Sequence, residues 1–131
     1  MKFHHIGIFV KNLANGKKEL SKIVRIKKKS KIYIDRKLNV KVQFYYDYCQ
    51  LCYELIAPYG KQNPVSAIIN SKKNILNHLA FKTKNFDKKI IELRKLGYAP
   101  LQAAKEAVAF NNKRVIFFLN NLNFIIELIE D

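Results

Sequence analysis

Alternation and helical periodicity divide the chain into short elements. Across 3–10, Phe3, His5, Gly7 and Phe9 fall on one face of a strand and His4, Ile6, Ile8 and Val10 on the other. Asn12 or Asn15 can cap a helix running to about residue 26, with Leu13, Leu20, Ile23 and Val24 as its apolar stripe. A strand is expected at 31–34. Segments 40–46 and 51–57 read as a hairpin around Asp47-Tyr48-Cys49-Gln50. Pro58, which lacks the ladder donor, ends the second of these strands. Asn63-Pro64 predicts the cap and first turn of a short helix to about residue 70, followed by a polar connector at 71–74.

The second half repeats this plan. A strand is predicted at 77–83 and an amphipathic helix at 87–96, with Gly97 as its stop. A short strand is expected at 108–110, and 114–119 pairs with 124–129 around Asn120-Asn121-Leu122-Asn123. The order is βαβββ twice. One offset of 73 positions superimposes Lys11 on Lys84, Asn12 on Asn85, Leu20 on Leu93, Phe44 on Phe117 and one hairpin turn on the other. The sequence therefore predicts one α+β domain over 1–131, built from a duplicated module at about 1–70 and 75–131.

The same offset carries polar residues with it. His5 falls on His78 and Glu54 on Glu127, and each His precedes its Glu by 49 positions. A lone strand His is usually a hydrogen-bonded core or edge residue, and a lone Glu before Leu-Ile can be the solvent-facing member of an alternation. Four residues sharing one offset are a different matter, and Glu54 lies in an apolar run where an unpaired carboxylate is costly to bury. If the modules pack with pseudo-two-fold symmetry, two imidazoles and two carboxylates suit Zn, Co, Ni, Mn or Fe(II). His4 is the competitor, but the repeat aligns His5 with His78, which assigns His5 as ligand and His4 to the opposite face. Tyr45, Tyr46 and Tyr53 are unranked candidates for further chemistry.

Composition narrows the function classes. Nearly half of the 131 residues are hydrophobic, yet no run approaches the ~18 apolar residues of a membrane span. With no signal-like leader, a cytoplasmic protein is expected. Cys49 and Cys52 form a lone CxxC without further Cys or His nearby, and at a hairpin they read as ordinary reduced thiols. The net charge of +15 includes Lys27-Lys28-Lys29. Because the lysines spread along the whole chain and the aromatics fall at core-like positions, no nucleic-acid partner is expected. The charge instead favours a small anionic ligand.

These residues resemble the vicinal oxygen chelate superfamily, which includes glyoxalase I, extradiol dioxygenases, bleomycin-resistance proteins and methylmalonyl-CoA epimerase. The likeness covers almost the whole chain and is strongest to the epimerases. It is carried by His4-His5-Ile6-Gly7-Ile8, Asn77-His78, Glu54-Leu55-Ile56-Ala57-Pro58-Tyr59-Gly60 and Asn63-Pro64-Val65. The resemblance implies a glyoxalase-like fold, with the two modules forming a curved mixed sheet around a cleft. It further implies one divalent metal on His5, Glu54, His78 and Glu127, a homodimer, and an acyl-CoA thioester or thiol adduct as substrate. By the same resemblance the reaction is proton removal beside a carbonyl, and the equal spacings lead us to expect Glu54 and Glu127 as the catalytic carboxylates serving its two faces. Two features depart from the epimerase pattern. Val42 stands where many epimerases carry a second base, and Ala109-Phe110-Asn111-Asn112-Lys113 lacks the glycines common before the last hairpin. A glyoxalase I-type lactoylglutathione lyase and a non-catalytic small-molecule-binding protein are the alternative expectations, whereas a dioxygenase usually needs only two His and one carboxylate.

Overall fold

The computed structural model describes residues 1–61, 63–73 and 75–131, which form two compact units, one of His5–Asn77 and one of Met1–His4 with His78–Asp131. Among these residues are ten strands, three α-helices and one 3-10 turn. Asn74, the end of the connector expected at 71–74, lies outside the described residues.

Strand β1 (Lys2–Phe9), which belongs to the first unit from His5 on, leads to α1 (Leu13–Ile23), capped by the Asn12 side chain, which accepts from the Asn15 amide at 2.7 Å. Then follow β2 (Ile26–Lys29), β3 (Tyr33–Asp35), β4 (Val40–Asp47), β5 (Cys52–Pro58) and α2 (Pro64–Ser71), with Asn63 as N-cap. The sheet runs β2-β4-β5-β1 with β3 also on β4, and β1 is parallel to β5 while the other pairs are antiparallel. Helix α1 covers one face, where Leu20, Tyr45 and Leu55 pack with Ile8, Val10, Leu13 and Val24. Gly16 allows this close approach: a Cβ there would sit 2.7 Å from Val10 Cγ1.

Two details correct the sequence reading. The first helix ends at Ile23, not near 26, and Ile23 is 84% exposed instead of lying on the apolar stripe. The Val24 amide closes the last turn on the Leu20 carbonyl, after which Ile26 to Lys29 extend along β4. The second strand of the module is thus split into β2 and β3, and the segment expected at 31–34 is only its second piece. Three consecutive lysines on a sheet edge suit strand pairing with solvent on the outer side.

The second unit repeats the plan with β6 (Leu76–Thr83), α3 (Phe86–Lys95), β7 (Ala99–Pro100), β8 (Lys105–Ala107), β9 (Lys113–Leu119) and β10 (Ile125–Glu130). Its order is β6-β10-β9-β7, with β8 on β9 and β6 parallel to β10. Gly97 has φ +89° and ends the helix in the left-handed conformation glycine tolerates. Phe86, Leu93, Ile116, Phe118 and Leu128 make the core. The strand expected at 108–110 is a 3-10 turn, Val108–Phe110, closed by Asn111 in the left-handed region; its apolar residues cross from β8 to β9 without pairing.

Candidate metal centre

The parallel pairing of β1 and β5 builds the first half of the site. Gly7 lies opposite Glu54, so His5, two residues earlier, shares the face of that carboxylate. Gly7 has no side chain to fill the space beside Glu54, and the imidazole reaches across: His5 Nε2 and Glu54 Oε2 are 2.9 Å apart. Both residues are buried. Phe44 is opposite Glu54 on β4, and its ring stands edge-on to His5, with centroids 5.6 Å apart and planes at 69°.

The second unit carries the same arrangement. Ala80, again small, lies opposite Glu127, and His78 precedes it by two. His78 Nε2 and Glu127 Oε2 are 3.1 Å apart, both residues buried. Phe117 lies opposite Glu127 and meets the His78 ring at 5.4 Å and 74°. Each unit therefore offers an imidazole nitrogen beside a carboxylate in an apolar setting, a donor set that suits a borderline divalent cation.

His4 points away from this face, and its ring packs edge-on against Phe110, with centroids 5.7 Å apart. Strand parity also ranks the tyrosines that the sequence left open. Tyr45 and Tyr53 lie on the helix-covered face, where the Tyr45 hydroxyl donates to Gln43 Oε1 at 2.6 Å and the Tyr53 hydroxyl to Asp47 Oδ2 at 3.1 Å. Tyr46 shares the face of Glu54 and lies opposite Cys52. Burial pushes the Tyr46 phenol up to about 12 and the Cys52 thiol up to about 11, and the two residues face each other across β4 and β5. Lys28 Nζ sits 4.7 Å from the centre of the Tyr46 ring. Sequence reasoning missed this corner because its members are separated in the chain and meet only through strand pairing. Val42 is buried on the Glu54 face opposite Ile56 and offers no proton acceptor there.

Comparison with known proteins follows the geometry. A family model described as Glyoxalase/Bleomycin resistance protein/Dioxygenase superfamily matches residues 4–117. No curated protein matches the sequence. Among solved structures, methylmalonyl-CoA epimerase from Mycobacterium tuberculosis superposes with a TM-score of 0.78 at 18% identity, covering 98% of this chain and 87% of that one. A variant of the Streptomyces coelicolor methylmalonyl-CoA epimerase in complex with 2-nitronate-propionyl-CoA gives 0.75 at 16% identity, covering 100% and 97%. A glyoxalase I variant from Zea mays gives 0.66 at 15% identity, covering 100% of this chain but 44% of that one. These likenesses establish the glyoxalase-like fold. No helix among the described residues is long and apolar enough to cross a membrane.

Proposed function

Because the chain belongs to the glyoxalase/bleomycin resistance protein/dioxygenase superfamily, we propose that it is a divalent-metal-dependent isomerase acting at a carbon next to a carbonyl, in the manner of methylmalonyl-CoA epimerase. The observation that carries this reading is the buried His–Glu pair built in identical register in both units. His5, Glu54, His78 and Glu127 together would hold one ion of Zn, Co, Ni, Mn or Fe. When bound, the cation supplies Lewis-acid stabilisation of negative charge developing on a substrate carbonyl oxygen. The substrate is a small acyl-CoA thioester, and the enzyme is a cytoplasmic homodimer.

The chain's own residues supply the proton chemistry. A carboxylate takes the proton from the carbon, the C–H electron pair moves into the forming enolate, and a second carboxyl group returns a proton to the opposite side. Val42 leaves the usual second-base position apolar, so the two roles fall to Glu54 and Glu127. The Phe44 and Phe117 rings back the imidazoles on an apolar side, which strengthens charge interactions at the carboxylates.

The test joins metal content with exchange. Purified protein should contain about one divalent ion per chain by mass spectrometry, and His78→Ala should lose it. Wild-type protein should wash solvent deuterium into methylmalonyl-CoA, and Glu54→Gln should lose the exchange of the epimer whose proton faces Glu54. No bound metal after reconstitution would refute the reading, and full exchange in Glu54→Gln would reduce Glu54 to a ligand. A lactoylglutathione lyase of the glyoxalase I kind would draw on the same two His and two Glu, and turnover of the methylglyoxal–glutathione hemithioacetal would favour it. Val42 fits a non-catalytic binding protein equally well, and metal-loaded protein that binds but exchanges no substrate would support that reading.

A further inference from the structure

The two units agree at His, Glu and Phe and differ at one corner of the same face. In the first unit Tyr46 lies opposite Cys52 on one side and Lys28 on the other. In the second, the residues at the matching pairing positions are Leu119, Ile125 and Ala99. A polar, cation-bearing corner in one unit is thus an apolar one in its repeat. The central hairpins pair alike in both units, so the duplicated frame alone does not require this difference.

We propose that Lys28, held by Tyr46, is the specificity-determining residue that binds an anionic group of the substrate, a carboxylate or a phosphate. This rests on the reading of Glu54 as a residue of the active site. Tyr46 and Cys52 lie two residues along their strands from Phe44 and Glu54, and Lys28 is two strands over, which places its backbone about 12 Å from the Glu54 position at the usual rise and strand spacing, a span one substrate molecule can bridge. Tyr46 is paired with Cys52 on β5 and with Lys28 on β2, which sets its ring between the two. The ring in turn holds the Lys28 ammonium over its face and reduces the rotamer freedom lost on binding an anion. Ser30 fixes the chain just beyond Lys28: its hydroxyl accepts from the Phe44 amide at 2.9 Å, and its own amide donates to the Phe44 carbonyl at 2.9 Å. Lys29, next in sequence, lies opposite Tyr45 and so belongs to the helix-covered face. The overall positive charge attracts any anion, whereas only a lysine on the Glu54 face can orient one.

Binding is measured by calorimetry on metal-loaded protein with methylmalonyl-CoA, propionyl-CoA and methylmalonyl-pantetheine. Lys28→Ala should weaken binding about tenfold, with Lys29→Ala, an equal loss of charge, close to wild type. Tyr46→Leu should resemble Lys28→Ala, and Tyr46→Phe should retain most of the affinity. A loss for both methylmalonyl ligands but not propionyl-CoA assigns the substrate carboxylate to Lys28. A loss for both coenzyme A thioesters but not the pantetheine assigns a phosphate. Unchanged binding in Lys28→Ala, or an equal loss in Lys29→Ala, overturns the proposal. Deuterium exchange separates the two readings: Lys28-dependent binding without exchange leaves this proposal standing and removes the isomerase, and exchange with Lys28-independent binding does the reverse.

Discussion

His5 Nε2 stands 2.9 Å from Glu54 Oε2 although 49 positions separate the two residues. Parallel pairing of the first and last strands of the unit brings them together, and the small side of Gly7 leaves room for the contact. His78 and Glu127 reproduce it at 3.1 Å beside Ala80. Removing either carboxylate deprives a buried imidazole of a charged partner, so Glu54→Ala and Glu127→Ala should each cost about 1–3 kcal/mol of stability in metal-free protein. Urea unfolding checks this, and clearly unequal costs would show that the two sites are not energetically alike.

The hairpin turns are duplicated down to single hydrogen bonds. Asp47 Oδ1 accepts from the amides of Cys49 at 2.8 Å and Leu51 at 2.9 Å. Asn120 Oδ1 accepts from Leu122 at 2.8 Å and Phe124 at 3.2 Å. Gln50 and Asn123 take the left-handed position, with φ +66° and +64°. Asp47→Ala and Asn120→Ala should each destabilise by about 1–2 kcal/mol, more for the buried Asn120. Gln50→Gly should instead stabilise by about 1 kcal/mol, because the left-handed conformation strains a residue with a Cβ. Denaturant midpoints of the three variants decide both points.

Much of this architecture is legible in the sequence because duplication fixes register. The offset that aligns His5 with His78 also aligns Asn12 with Asn85, each preceding a helix, and Gln50 with Asn123 in the turns. The segment Ile26–Lys29 was not legible, since its register slips between Ile26 and Lys28 and its lysines carry no core-facing alternation. The apolar run at 108–110 looks like a strand, but the left-handed Asn111 and Asn112 end it as a turn. Ranking Tyr46 above Tyr45 and Tyr53 requires knowing which face α1 covers, and that is a property of packing.

The two cysteines should differ sharply in reactivity. Cys49 is exposed at the hairpin turn, whereas Cys52 is buried and its thiol is raised to about 11 chiefly by loss of solvation. At pH 8 about one Cys52 in a thousand is thiolate, and alkylation needs the thiolate. Iodoacetamide should therefore label native protein once per chain, at Cys49, and denatured protein twice. Rapid double labelling of the native chain would contradict the burial of Cys52.

Arg114 links strand, helix and C-terminus of the second unit. Its guanidinium donates to both Asp87 carboxylate oxygens at 2.9 and 3.0 Å and to Glu130 at 2.8 and 3.1 Å, and it lies 4.7 Å from the centre of the Phe86 ring. These hydrogen bonds hold the Asp87 and Glu130 carboxyls below their ordinary range. A carboxylate with a depressed folded pKa contributes stability that is complete above its unfolded value, about 4, and is lost as pH falls through the folded value. Arg114→Met, which keeps apolar bulk over Phe86, should thus lower the melting temperature at pH 7. The gap from wild type should narrow steadily below about pH 4, where protonation removes the same interaction from both proteins. Thermal unfolding across that range measures it. A gap unchanged between pH 7 and the acid end would assign the contribution of Arg114 to packing on Phe86 rather than to the two carboxylates.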